Sequence, residues 1–187
     1  LHRVYGKGGL GQVWMAQDRT LNRRVALKEL KPGRVKQVDS PATRGILRRF
    51  LREAQITGQL QHPNIVPVYD VERRDGGLPF YTMKLVEGQT FAKAITDYHE
   101  RRKTGQDDPV EFARLLQAFI GVCQAVAYAN ANGVVHRDLK PSNLLLQGGD
   151  LAKVKLVEPA PVVIGAPDDG DTRATTAIRS AEIIGFS

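Results

Sequence analysis

The sequence predicts an α+β fold in two parts, a strand-rich first part and a mainly helical second part. Short β-prone runs bounded by turn residues, with one helical period among them, fill residues 1–87. Helical periodicity begins after Gly88 and dominates residues 88–158. Residues 159–187 are rich in Pro, Gly, Asp and Thr without a sustained period, which predicts a disordered tail.

Five strands and one helix are predicted in the first part. Four strands fall at residues 12–16, 24–29, 65–69 and 80–86, and a shortened strand before Gly6 is the fifth. Turns are expected around residues 21–23 and 74–77. The helix is indicated by apolar residues at i, i+3, i+4 and i+7, namely Leu47, Phe50, Leu51 and Ala54. It must end before His62-Pro63.

The second part contains the most clearly delimited helix. Asp108 is a typical N-cap, Pro109 suits the first helical position, and Gly133 is a typical stop. The predicted core stripe of this helix consists of Phe112, Leu115, Leu116, Phe119, Val122, Cys123 and Val126. Two short strands are predicted at residues 144–146 and 154–157, on either side of Gly148-Gly149.

The net charge of +7 is concentrated in the first third of the chain. Residues 1–62 hold 13 Lys and Arg against 4 Asp and Glu, which leaves 14 against 16 for the rest. These basic residues are not interleaved with aromatic residues that could stack on bases, so we expect no nucleic-acid partner. Because the sequence shows neither a signal-peptide pattern nor eighteen consecutive apolar residues, we expect a cytoplasmic protein without a membrane segment.

The first motif with a chemical meaning is rich in glycine. Gly6, Gly8 and Gly11 follow the spacing G-x-G-x-x-G, which lets backbone N–H groups approach phosphate oxygens closely. In a dinucleotide-binding fold this motif opens a helix. Here β-prone residues follow directly and Lys28 comes seventeen positions after Gly11, which favours a hairpin over phosphates. From this motif alone, a glycine-rich hairpin without a ligand is the alternative.

Two further motifs, read together with the glycine motif, indicate a protein family. Residues 136–143 read His-Arg-Asp-Leu-Lys-Pro-Ser-Asn, and residues 25–28 read Val-Ala-Leu-Lys. Together with the glycine motif they resemble the catalytic domain of bacterial, eukaryotic-type serine/threonine protein kinases. The resemblance runs from Gly6 to about Leu146 and includes a hinge-like segment at 80–88. It implies a two-lobe kinase fold, with a five-stranded N-lobe and one helix at 1–87 and an incomplete, mainly helical C-lobe at 88–158.

The resemblance implies an ATP site. Lys28 is expected to bind the α- and β-phosphates, oriented by an ion pair with Glu53, the only acidic residue of the predicted helix. The other implied contacts are Gly6, Lys7, Gly8, Gly9 and Gly11 over the phosphates, Val13, Ala26 and Leu145 against adenine, and Met83, Lys84 and Val86 beside its edge.

By the same resemblance, residues 136–143 carry the chemistry. Asp138 would accept or orient the proton of the substrate hydroxyl, and Asn143 would hold Mg²⁺ through its amide oxygen. Lys140 is the form found in serine/threonine kinases. Arg137 would pair with a phosphorylated activation loop. The implied cofactors are ATP and Mg²⁺, and the implied partner is a protein substrate phosphorylated on Ser or Thr.

The resemblance breaks after Leu146, where the family has Asp-Phe-Gly and this sequence has none. One register puts Glu158 in place of the metal-binding Asp, and another puts Gly148 there. The segment between Asn143 and the metal-binding position must form a hairpin, with one strand leading away and one returning, at about 3.3 Å per residue. Only the longer of the two spacings leaves enough residues for both strands, which favours Glu158 as a metal ligand. The Ala-Pro-Glu segment and later helices are also missing, so we expect a truncated catalytic domain whose long helix exposes apolar surface.

The leading hypothesis is therefore a serine/threonine protein kinase fragment that transfers the γ-phosphate of ATP to protein hydroxyls. The missing Asp-Phe-Gly motif leaves two alternatives. One is a catalytically impaired pseudokinase that binds nucleotide or a protein partner, and the other is a non-functional truncated product.

Overall fold

The described part of the chain forms two compact units. The computed structural model describes residues 4–7, 11–31, 33, 40–73 and 77–147, together with short strands at 154–156 and 162–163. Leu1–Gln55 and Val68–Leu85 contribute to the first unit. The second unit is formed from Ile56–Pro67 and Val86–Val162.

A five-stranded antiparallel sheet forms the body of the first unit and confirms the predicted number of strands. The strands are β1 (Val4–Lys7), β2 (Gly11–Asp18), β3 (Arg23–Leu30), β4 (Val68–Arg73) and β5 (Pro79–Lys84). They are arranged in the order β1-β2-β3-β5-β4. The turn between β2 and β3 contains Asn22 at a φ of 47°, a left-handed value that Asn tolerates better than most residues.

Two strand boundaries differ from the prediction. The strand expected at 65–69 begins instead at Val68, because Pro67 has no N–H group to donate to a ladder. The preceding apolar pair, Ile65 and Val66, is buried within the second unit. The strand expected at 80–86 ends at Lys84. Most of the turn predicted at 74–77 lies outside the described residues.

One helix, α1 (Pro41–Gln59), follows β3 and ends before His62 as predicted. Ser40 caps its start, since the Ser40 hydroxyl oxygen accepts a hydrogen bond from the Thr43 N–H group at 3.2 Å. Phe50 is 0% exposed and packs its ring against that of Tyr81 on β5, with the ring centroids 5.2 Å apart. The predicted apolar stripe therefore faces the sheet, and Glu53 lies one turn further along it.

The second unit contains two α-helices and several short strands. Its helices are α2 (Phe91–Lys103) and α3 (Pro109–Ala131), and its strands are β6 (Gly88–Thr90), β7 (Val134–Val135), β8 (Leu144–Gln147) and β9 (Val154–Leu156). A further short strand, β10 (Val162–Val163), starts at the last residue of this unit. The strands form a sheet in the order β6-β8-β9 and a pair of β7 with β10. β8 and β9 confirm the two predicted strands. Within the predicted tail, β10 is the described part, and the remainder of 159–187 lies outside the described residues.

Both ends of α3 confirm the sequence signals, whereas for α2 the sequence predicted only helical character after Gly88 and no bounds. The Asp108 carboxylate accepts a hydrogen bond from the Val110 N–H group at 2.9 Å, and Gly133 adopts a φ of 73° just after the helix. In α2 the buried residues Phe91, Ala94 and Tyr98 recur at i, i+3 and i+7. This stripe has only three buried residues over a 13-residue helix, so its periodic signal in the sequence is weak.

α3 is apolar on two faces, and the structure buries the face with small residues. The buried residues are Leu115, Ala118, Gly121, Val122, Ala125 and Ala129. Phe112, Leu116, Phe119 and Cys123 are exposed, so this part of the predicted stripe is wrong. The small residues of the buried face allow neighbouring groups to approach closely, and the Asn64 side chain packs against Gly121 in this way. The expected exposed apolar surface on the long helix is present, with Phe119 53% exposed.

By length and composition, α3 would also be able to cross a membrane, and no other helix in the described part of the chain meets that criterion. One such helix is a weak indication of a membrane span, because core helices of water-soluble proteins have the same properties.

Candidate active site

The glycine-rich segment forms a hairpin, as its β-prone continuation predicts. β1 ends at Lys7 and β2 begins at Gly11, and the antiparallel pairing sets Gly6 opposite Val13. The dinucleotide-binding alternative requires a strand-to-helix turn at this point, and a second strand stands there instead. The two central glycines, Gly8 and Gly9, lie outside the described residues.

Gly11 is required by close packing at the start of β2. A Cβ atom at this position would lie 2.8 Å from the backbone carbonyl oxygen of Glu29 on β3. Real Cβ atoms do not approach a backbone oxygen so closely, so a larger residue would force the two strands apart. The close pairing of β2 with β3 at the start of β2 thus depends on this glycine.

The register of the sheet places the predicted nucleotide residues of this unit on one face. Lys28 lies directly opposite Val13 on β2 and opposite Tyr81 on β5, and Ala26 lies opposite Met83. Directly opposed residues of antiparallel strands share a face, and alternate residues along a strand return to it. All five side chains are buried. A separate apolar cluster occupies the other face, formed by Ala16, Val25, Leu27 and Phe80 with Trp14.

The predicted ion pair between Lys28 and Glu53 is present and buried. The Lys28 Nζ atom donates a hydrogen bond to the Glu53 Oε1 atom at 2.6 Å, and the two side chains are 3% and 7% exposed. Burial of both charges makes each dependent on the other, because removal of either partner leaves an uncompensated charge. The ammonium group of Lys28 is thereby held at a fixed position on the sheet.

Tyr81 completes this group and is not among the predicted site residues. Its hydroxyl donates a hydrogen bond to the same Glu53 Oε1 atom at 2.7 Å. The Lys28 Nζ atom lies 5.6 Å from the centroid of the Tyr81 ring, within the range of a cation–π interaction. The signal that would identify Tyr81 is its position opposite Lys28, which becomes visible only when the register of β3 and β5 is known.

The remaining predicted adenine contacts are divided between the units. Lys84 ends β5 and is half-buried. In the second unit, Val86 is buried, and Leu145 lies half-buried on β8 opposite Thr90. Their contacts with adenine stay predictions.

Three predicted catalytic residues meet in the segment between β7 and β8. The Lys140 Nζ atom donates to both carboxylate oxygens of Asp138, at 2.9 and 2.8 Å. The Asn143 Nδ2 atom donates to Asp138 Oδ2 at 2.8 Å and to the Asp138 backbone oxygen at 2.9 Å. A short 3₁₀ helix, Pro141–Asn143, brings Asn143 back toward Asp138, and the Asn143 N–H group bonds the Lys140 carbonyl oxygen at 2.9 Å.

The backbone just before Asp138 is held in a sparsely populated conformation. Arg137 has a φ of 61°, in the left-handed region that residues other than glycine seldom adopt. The Asp138 N–H group bonds the His136 carbonyl oxygen at 2.8 Å and tightens the same turn. Such conformations persist where the surrounding contacts require them, and they are frequent at functional loops.

The environment of Asp138 favours its ionised form. The hydrogen bond from Lys140 is the largest cause that lowers the pKa of Asp138 below its ordinary value, and the hydrogen bond from Asn143 is the next. The side chain is solvent-exposed. An exposed carboxylate that stays ionised at neutral pH can accept a hydrogen bond from a substrate hydroxyl.

Asn143 is the one predicted metal ligand within the described residues. Its Nδ2 atom donates to Asp138, so the amide oxygen is the atom suited to a hard cation such as Mg²⁺. No group of three or more His, Cys, Asp or Glu suited to a metal occurs in the described ranges. Glu158, the second predicted ligand, lies outside them. Pairing of Leu144 with Leu156 forms the hairpin that the Glu158 register requires.

Comparison with known proteins agrees with these features. The protein kinase domain family matches residues 1–158, and the chain belongs to this family. Serine/threonine-protein kinase PknD of Protochlamydia amoebophila is 39% identical over 144 residues, which cover 75% of this chain. The PknD proteins of Chlamydia muridarum and Chlamydia trachomatis are 38% and 37% identical over 148 residues, or 78% of this chain. The matched region spans only 14% or 15% of the length of these relatives.

Proposed function

We propose that this chain provides the catalytic machinery of a serine/threonine protein kinase, which transfers the γ-phosphate of ATP to protein hydroxyls. The observation that carries the proposal is the buried ion pair between Lys28 and Glu53. It holds an ammonium group on the same sheet as a glycine-rich hairpin, and phosphate groups require that combination of charge and close backbone approach. The names of the relatives support Ser and Thr as acceptors.

In this mechanism the first unit binds the nucleotide. Lys28 donates hydrogen bonds to the α- and β-phosphates, and Glu53 keeps its ammonium group in position. The hairpin that begins at Gly6 covers the phosphates with backbone N–H groups. The buried apolar side chains of Val13 and Ala26, on the same face of the sheet as Lys28, pack against the adenine ring.

The second unit acts on the acceptor. The hydroxyl oxygen of the substrate Ser or Thr attacks the γ-phosphorus, and the bond from that phosphorus to the β,γ-bridging oxygen breaks, so ADP leaves with the electron pair. Asp138 orients the attacking hydroxyl and accepts its proton. Lys140 and Asn143 hold the carboxylate in place and keep it ionised until the proton is transferred.

Asn143 would hold Mg²⁺ through its amide oxygen, with Glu158 as the proposed second ligand. The ion would neutralise charge on the phosphates during transfer. The predicted cytoplasmic location agrees with the use of ATP and remains a prediction.

The test is transfer of labelled γ-phosphate to a generic basic protein, followed by analysis of the phosphorylated amino acids. We expect label on Ser and Thr with the wild-type chain and loss of transfer with Asp138→Asn. Asp97→Asn is the matched control, because Asp97 also pairs with a lysine, Lys93 at 2.6 Å, on the exposed surface of α2. Equal incorporation by wild type and Asp138→Asn would remove Asp138 from the mechanism.

Neither the structure nor the comparisons favours the pseudokinase alternative. The same assay separates it, because a pseudokinase would bind Mg-ATP and raise the melting temperature without transferring label.

A further inference from the structure

We propose that Tyr81 is the positioning residue that holds Glu53 in place for Lys28, whether or not nucleotide is bound. The inference deepens the proposed function and rests on it, since its effect is measured on nucleotide binding. It assigns no chemistry to Tyr81 itself, which acts only through Glu53.

The first observation is that Tyr81 and Lys28 donate hydrogen bonds to one and the same oxygen. Glu53 Oε1 accepts from the Lys28 Nζ atom at 2.6 Å and from the Tyr81 hydroxyl at 2.7 Å. Glu53 is 6% exposed, so water cannot easily replace a lost donor. The position of this carboxylate oxygen therefore depends on both donors.

The second observation is that the Tyr81 hydroxyl is the more rigid of the two donors. The Tyr81 ring is 4% exposed, contacts the fully buried Phe50 ring, and lies on β5 directly opposite Lys28. Only two side-chain torsions separate the ring of Tyr81 from the backbone, whereas the ammonium of Lys28 ends a flexible four-carbon stem. The hydroxyl thus fixes the carboxylate, and the carboxylate in turn guides the ammonium.

The third step concerns the bound state. Phosphate oxygens compete with Glu53 for the hydrogen bonds of Lys28, which weakens the hold of Lys28 on the carboxylate. The hydrogen bond from Tyr81 does not involve the ammonium and persists. Because Phe50 and Glu53 are both on α1, the contacts of Tyr81 with these two residues keep this helix against the sheet in both states.

The experiment compares Tyr81→Phe with wild type in the 187-residue chain, with Mg-ADP as the probe and calorimetric titration as the readout. The substitution removes the hydroxyl and keeps the ring. We expect about fivefold weaker binding of Mg-ADP, because a hydrogen bond to a charged group is lost next to Lys28. The matched control is Tyr98→Phe, which removes a hydroxyl that donates to Asp107 at 3.0 Å in the second unit and should bind as wild type does.

A double-mutant cycle tests whether Tyr81 acts through Glu53. In a Glu53→Gln background, Tyr81→Phe should weaken Mg-ADP binding by less than about twofold further, because the charged acceptor is already absent. An equal fivefold loss in both backgrounds would show that Tyr81 acts by another route and would overturn the inference. Unchanged binding by Tyr81→Phe, or an equal loss in Tyr98→Phe, would also overturn it.

A measurement on the wild-type chain applies even where Tyr81→Phe does not fold. Hydrogen exchange of backbone amides around Glu53 should be equally slow with and without Mg-ADP, since Tyr81 holds α1 in both states. Protection that appears only with Mg-ADP would contradict the inference. A wild-type chain that does not bind Mg-ADP at all would overturn the proposed function and, with it, this inference.

Discussion

Removing both charges of the buried ion pair is expected to be less harmful than removing either one. Glu53→Leu removes the Glu53 carboxylate from the Lys28 ammonium, which is 3% exposed, and Lys28→Met leaves the Glu53 carboxylate with one donor fewer. Each single substitution should lower the free energy of unfolding by about 3–5 kcal/mol. In the double variant neither charge of this pair remains, and the main loss is the acceptor of the Tyr81 hydroxyl, about 1–3 kcal/mol.

The assay is urea denaturation, monitored through the fluorescence of Trp14. This residue is the only tryptophan of the chain, and it lies on β2, so its signal reports on the sheet of the first unit. Arg23→Met is the control, because Arg23 pairs with Asp18 at 3.2 Å while 38% exposed and should cost about 1 kcal/mol. If the double variant loses the sum of the two single losses, the two charges are not coupled and the account of this pair is wrong.

Three further outcomes follow from the structure. Lys140→Met should raise the pKa of Asp138 toward its ordinary value, so Asp138 of the wild-type chain should stay ionised to lower pH than Asp138 of the variant. Equal midpoints for the two chains in carbon NMR titrations of this carboxyl group would contradict the prediction. Gly11→Ala should destabilise the sheet by about 1–3 kcal/mol because its Cβ atom meets a backbone oxygen of β3, and an unchanged urea midpoint of Trp14 fluorescence would exclude that clash. Val122→Ala, on the buried face of α3, should lower the free energy of unfolding by about 2 kcal/mol, whereas Phe119→Ala, at a position 53% exposed, should lower it by less than about 1 kcal/mol. Equal melting temperatures of the two variants by circular dichroism would refute this assignment of faces.

Features determined by neighbouring residues were predictable from the sequence. The start of α3 depends on the short polar side chain of Asp108 followed by a proline, and its end depends on Gly133 in a left-handed conformation. The glycine-rich hairpin was distinguishable from a helix start because β-prone residues follow Gly11. Each of these features depends on residues within a few positions of one another, so a short stretch of sequence is enough to predict it.

Features that depend on distant parts of the chain were not predictable in the same way. α3 carries apolar residues on both faces, so periodicity alone did not show that Val122 would be buried and Phe119 exposed. The buried face of α3 is the one whose small residues allow neighbouring side chains to approach closely, as Asn64 does at Gly121. A pattern on one helix cannot indicate which of two apolar faces its partners will cover.

The contrast between Glu53 and Tyr81 shows why a motif finds one part of a site and misses another. Glu53 could be assigned because it is the only acidic residue of α1 and the family requires an acid there. Tyr81 acquires its position from the pairing of β3 with β5, and a slip of one residue in that pairing would turn it to the opposite face of the sheet. Phe80 or Thr82 would then lie opposite Lys28, and neither could reach Glu53 as the Tyr81 hydroxyl does. Residues that support the ion pair therefore depend on the register of the sheet, and only a structure supplies that register.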